Sequence, residues 1–271
     1  MAEPAPKKSK QEMPVHVADI PGDQLKFLTE GHGCADIRHG GYGESDLLTH
    51  LTEVRWVLKD KLGCTDDELL AASLFHSIYG TEGFQQKTVP LADRPRLRSL
   101  IGERAEFVAY LNCVMDRASL DAAVIELADW NKQRKAADPP ATAAAGGDGD
   151  GPPGFAIQSR PELGAEKITV TAKQLTDLML VHFSDWAQQV ALYSYWAYRR
   201  QAYLNIATSL GGKCAELYRE IMATEPEGAE EKLPEMVRAR KLGVFDKIMS
   251  KEIDYMALLD DKIASNGEVA N

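Results

Sequence analysis

Between Asp46 and Leu62 the chain places Leu47, Leu51, Val54, Leu58 and Leu62 at steps of four, three, four and four residues. That spacing lines one face of an α-helix. Gly63 supplies a stop. Thr65 with Glu68 reads as a capping box that opens the next helix. There, Leu69 to Phe75 is apolar almost all round, which predicts a central, buried position. The pattern recurs over Pro95–Met115, with Leu97, Ile101, Val108 and Leu111 on related faces. It recurs again after a second capping box, Thr171 with Gln174, in a long helix predicted over Ala172–Thr208. Phe245, Ile248, Met249, Ile253 and Met256 repeat it within Leu233–Ile263. Ile168–Thr171 is β-branched enough for a short extended piece, and no long segment alternates with period two. The predicted class is all-α.

Two stretches interrupt this pattern. Residues 1–15 are small, charged and Pro-containing. The sequence ADPPATAAAGGDGDGPPG (137–154) sits inside a soft region predicted over 131–164. Such composition cannot bury enough surface to offset ordering entropy. One domain is therefore expected over 16–264, with a disordered N-terminus, a disordered insertion and a tail at 265–271. A net charge of −10 argues against nucleic acid or an anionic membrane as partner, while leaving a small-molecule substrate open. The longest apolar runs fall short of a membrane span. Cys34, Cys64, Cys113 and Cys214 form no C-x-x-C pair, which favours a reducing, cytoplasmic setting over a zinc ribbon or disulfide framework.

The informative residues are ionisable ones where packing prefers carbon. His50 lies at the edge of the Leu47–Leu51–Val54 stripe, and His76 directly follows LLAASLF. Farther on, Leu175, Leu178, Met179, His182, Asp185, Trp186, Val190 and Tyr193 share one helical arc, so Asp185 is a carboxylate on an apolar face. A buried Asp is costly unless paired, hydrogen-bonded or bound to metal. Any one such histidine is more often a satisfied core residue. Three residues from three helices could instead converge on one cation, with Fe, Mn or Zn suited to imidazole and carboxylate. Arg94, Arg96, Arg98 and Arg104 read either as an anion-binding patch or as a face paired with Glu103 and Glu106. The GGYG glycines (Gly40, Gly41, Gly43) lack the tail of a phosphate loop. The aromatic run Trp186, Tyr193, Tyr195, Trp196, Tyr198 and Tyr203 reads as core.

RHGGYGESDLLTHL (38–51), AASLFHSIYGTEGF (71–84), RPRLRSLIGERAEFVAYL (94–111) and LVHFSDWAQQ (180–189) resemble an HD-like family of helical proteins. More distantly, they resemble the HD superfamily of metal-dependent phosphohydrolases and oxygenases. The resemblance spans about Ile37 to Arg200, apart from the insertion. It implies an HD-like helical bundle in which His50, His76 and Asp185 match metal ligands. Ser77 stands where the HD pattern has its adjacent Asp, which implies a mononuclear site rather than a bridged pair. Glu82 is a candidate replacement carboxylate. His39 and His182 are the candidate catalytic acid and base, or further ligands.

Three readings follow. The first is a metal-dependent enzyme acting on a small molecule, hydrolysing a phosphoester or, at iron, using oxygen. The second is a non-catalytic HD-derived binding domain in which the three residues form a hydrogen-bonded core. The third is a structural helical protein that dimerises through its C-terminal helices.

Overall fold

The computed structural model describes residues 16–39, 45–136, 154–190 and 199–223. The expected soft tails, the centre of the insertion, the GGYG loop glycines and the helices expected over Leu233–Ile263 lie outside these residues, as do Tyr193, Tyr195, Trp196 and Tyr198.

A short helix, α1 (Gly22–Lys26), continues into a π-helical turn over Phe27–Gly31. A two-residue ribbon, β1 (Arg38–His39) with β2 (Ser45–Asp46), then delivers the chain to α2 (Leu47–Trp56). Asp46 caps α2, its carboxylate accepting from the Thr49 amide at 2.8 Å and the Thr49 hydroxyl at 2.9 Å. α3 (Asp67–Leu74), α4 (Arg94–Ile101), α5 (Glu103–Val114) and α6 (Arg117–Ala136) follow. After them come β3 (Phe155–Gln158), β4 (Lys167–Val170), α7 (Ala172–Val190), α8 (Arg200–Leu210) and α9 (Gly212–Ala223). β3 and β4 pair antiparallel, Phe155 opposite Val170. The described residues are thus all-α with two small ribbons, and none of their helices is long and apolar enough to cross a membrane. The four cysteines are free.

Leu69 to Phe75 is buried on every side, as a central helix requires. α2, α5 and α7 each pack against this helix, α3, and α7 also packs on α2 and α5. α7 stands between two cores: Val181 joins the one built on α2 to α5, whereas Leu178 and Trp186 join the one holding Phe155, Leu204 and Tyr218. Any residue on the α2-facing side of α7 therefore points into the middle of the protein.

Four boundaries differ from the sequence reading, each for a local reason. Asp66, not Thr65, caps α3, its side chain accepting from the Leu69 amide at 3.2 Å. The Pro95–Met115 segment is two helices, because Gly102 takes φ +90°, a conformation closed to a helix interior. The soft region expected over 131–164 has regular structure at both ends: α6 runs to Ala136, and Phe155 and Ile157 are fully buried on β3. Finally, Ala172–Thr208 is not one helix. The Trp186 and Tyr203 rings stack with centroids 4.5 Å apart, whereas seventeen residues of straight helix would separate them by about 25 Å. α8 instead folds back on α7. The Thr171–Gln174 capping box is present in both directions, at 2.9 and 3.2 Å.

Candidate metal centre

His50 projects inward from α2, held by the Asp46 cap at one end and the buried Leu47, Leu51 and Val54 stripe along its face. His76 arrives differently. α3 ends at Leu74, leaving unsatisfied carbonyls, and the His76 ring folds back to donate from Nδ1 to the Ser73 carbonyl at 2.7 Å. Its own carbonyl is clamped by α5, accepting from Asn112 Nδ2 at 2.9 Å and from Cys113 Sγ at 3.1 Å. Gly80 completes the exit at φ +81°, where an added Cβ would lie 2.9 Å from the Gln85 carbonyl. Asp185 comes from the inner face of α7 and accepts a hydrogen bond from Gln189, one turn later. All three residues are buried, at 2%, 0% and 4% exposure.

His50 Nε2 lies 3.1 Å from His76 Nε2, and the two nitrogens lie 3.3 and 3.4 Å from Asp185 Oδ1. The neighbours assign the protons. A carbonyl only accepts, so His76 carries its proton on Nδ1. His50 Nδ1 faces Gln188 Oε1 at 2.9 Å, and Gln188 Nε2 donates to Glu53 Oε2 at 2.5 Å, so His50 also carries its proton on Nδ1. Three lone pairs therefore face one another. Burial drives the His50 pKa well below the usual imidazole range, with the neighbouring His39 adding to it against Asp185. Burial alone would raise the Asp185 pKa, whereas positive charge on the imidazoles around it, His76 foremost, would lower it.

That arrangement suits a cation. The circle through three atoms with these separations has a radius of about 1.9 Å, close to the ligand bonds of about 2.0–2.2 Å that imidazole and carboxylate make to zinc. These are also the only described His, Cys, Asp or Glu side chains grouped closely enough to hold a metal.

The remaining candidates fall elsewhere. His39 stacks on His50, centroids 3.9 Å apart and planes 13° from parallel, with Phe84 at 4.6 Å. Burial lowers its pKa to about 4, against the opposing charge of Asp185, so it is neutral at pH 7. His182 has both nitrogens occupied. Nδ1 donates to Asn112 Oδ1 at 3.1 Å, and Nε2 accepts from the Tyr203 hydroxyl at 3.0 Å. It supports His76 through Asn112 instead of joining the triad. Glu82 caps α6, accepting from the Arg117 amide at 3.0 Å. Ser77 is buried, and its hydroxyl finds no hydrogen-bond partner among the described residues.

The arginine run is paired. Arg94 forks onto fully buried Glu106 at 2.6 and 3.0 Å, joined by Arg98 and by the Tyr79 hydroxyl. Arg104 ties Asp177 of α7 to the Asp66 cap of α3. Arg96 lies over the Phe27 ring at 5.1 Å. Sequence reasoning missed Gln188, Gln189 and Asn112, the neutral amides that orient the triad.

A family model described as a domain of unknown function (DUF6817) matches residues 28–117, about a third of the chain. The match takes in His39, His50, His76 and Asn112 and stops before Asp185. No curated protein and no solved structure matches the chain.

Proposed function

We propose that His50, His76 and Asp185 hold one divalent cation, and that the protein is a metal-dependent enzyme of HD-like type acting on a small molecule. The observation that carries the reading is the meeting of three lone-pair donors within 3.4 Å with both ring protons directed away. Buried polar atoms are paired as a rule, and a set of facing acceptors is stable only around a positive centre. The order of the residues along the chain, His from α2, His after α3 and Asp from α7, agrees with the HD resemblance.

A bound cation of this class polarises a substrate oxygen or lowers the pKa of a coordinated water. Two imidazoles and one carboxylate leave positions open for that exchange, as suits Fe, Mn or Zn. The chain supplies the rest. Ser73 and Gln188 fix the rings, Gln189 orients the carboxylate, and neutral His39 beside His50 is available to accept a proton. With Ser77 in place of a second carboxylate, the set is mononuclear. Phosphoester hydrolysis is the reaction class we assign first, with oxygen chemistry at a mononuclear iron as the alternative.

A second reading, a non-catalytic binding domain, has one observation in its favour: all three residues are 4% exposed or less. Elemental analysis of the purified protein beside His76→Ala and Asp185→Ala, with circular dichroism to confirm folding, separates the two. The enzyme reading expects near-stoichiometric metal in the wild type, lost in both variants. The metal's identity then directs the assay, manganese or zinc to phosphoester hydrolysis and iron to oxygen consumption. A wild type that stays metal-free after loading with Fe, Mn and Zn leaves the binding-domain reading.

A further inference from the structure

The metal-binding form of His50 depends on a residue that does not touch it. His50 has two neutral tautomers, and only the one protonated on Nδ1 presents a lone pair to the triad. His76 is locked by a backbone carbonyl, which can never donate. His50 faces a primary amide, which can present either end. With its NH2 toward His50, Gln188 would require the proton on Nε2, from where it would donate to Asp185 Oδ1, 3.3 Å away. That state would satisfy His50 and Asp185 without a metal and remove one ligand, but it would turn Gln188 Oε1 onto the Glu53 carboxylate. What selects the other state is Glu53, whose carboxylate only accepts and therefore draws the Gln188 NH2 to itself, turning Oε1 toward His50. Glu53 and Gln188 are half-buried, and both line an open cleft of about 390 Å3 whose walls include Trp56, Leu217 and Ile221. The proton position inside a sealed triad is thus set from a group at the protein surface.

We infer that Glu53 is a positioning residue that, through Gln188, holds His50 in its metal-binding tautomer. In its effect on affinity this rests on the metal reading above, but the tautomer itself is a property of the metal-free protein.

Two measurements keep the two ideas apart. In the first, 15N NMR of the His50 ring in metal-free protein reports which nitrogen carries the proton. The wild type is expected on Nδ1. Glu53→Gln keeps the size but can donate as well as accept, and is expected to shift the population to Nε2. The exchange variant E53Q/Q188E puts an acceptor-only group against His50 and is expected to restore Nδ1 protonation. In the second, zinc and manganese affinities by competition titration are expected to fall roughly ten- to a hundredfold in E53Q and to recover within about threefold in the exchange variant. Should E53Q fail to fold, Gln188→Leu leaves His50 Nδ1 without an acceptor and is expected to give the same tautomer shift. His50 remaining on Nδ1 in E53Q, with affinity within twofold of wild type, overturns the inference. A wild type that binds neither ion overturns the metal reading, and the tautomer data then still decide the role of Glu53.

Discussion

Nε2 of His50 lies 3.1 Å from Nε2 of His76 although each ring carries its proton on the opposite nitrogen. With the Asp185 carboxylate beside them, two lone pairs and a negative charge meet with no donor between them, Gln189 bonding the carboxylate from outside the triad. Asp185→Asn tests this directly, because an amide can turn its NH2 toward the histidines. The metal-free variant is expected to melt no lower than the wild type, and up to about 4 °C higher, since it removes a buried charge that faces two lone pairs and supplies a donor in its place. Added Mn or Zn is expected to raise the wild-type melting temperature and leave the variant unchanged. Scanning calorimetry with chelator and with each ion checks both halves.

The arginine run is structural, not a phosphate site. Arg104 forks onto Asp177, which is 4% exposed, at 2.9 and 3.0 Å. Arg104→Met leaves that buried carboxylate only the exposed Lys173, at 3.4 Å, and is expected to cost about 2–3 kcal/mol in urea unfolding. Adding Asp177→Leu should return much of the loss, and phosphate should not stabilise the metal-free wild type.

Acid should destabilise the metal-free fold earlier than carboxylate titration alone explains. The His39 pKa is lowered to about 4 by burial, and burial drives those of His50 and His182 well below the ordinary range. Unfolded, each takes up a proton near pH 6.5. The unfolded chain then binds more protons than the folded one, so stability is complete above about pH 7 and falls as pH drops through 6.5. Three such groups give a loss of about 4 kcal/mol between pH 7.5 and 5.5. Urea midpoints in chelator at the two pH values measure it, and His39→Gln is expected to remove about a third of the drop.

Legibility followed the physics of each signal. Leu47, Leu51 and Val54, or Leu175, Leu178 and Met179, repeat with the helix and so declare both element and buried face. Against such a stripe an intruding His50 or Asp185 stands out, because burial of an ionisable group needs a reason. Gln188, Gln189 and Asn112 send no such signal: neutral amides are ordinary on helices, and their roles depend on which end of the amide faces the neighbour. The return of α8 onto α7 was hidden for a related reason. Trp186 and Tyr203 belong to a continuous aromatic run that reads as one stripe, though they meet across two helices. His182 shared the arc of Asp185, and periodicity cannot tell a ring facing a cluster from one sealed by Asn112 and Tyr203.

The last distinction can be measured. The Tyr203 hydroxyl is the donor to His182 Nε2, at 3.0 Å, and Asn112 passes the ring's other bond on to the His76 carbonyl. Tyr203→Phe keeps the stacking on Trp186 but leaves a nitrogen of a 1% exposed histidine without a donor. The expected cost is about 1–3 kcal/mol in denaturant unfolding, with metal stoichiometry unchanged. His182→Leu in the same background should cost less than it does alone, because the nitrogen being removed is already unpaired. The coupling energy of that cycle is expected to be about 1 kcal/mol. If Tyr203→Phe instead leaves stability intact, His182 is not held as a support for His76. Its ring is then free to act on a substrate, and its assignment as acid or base regains force.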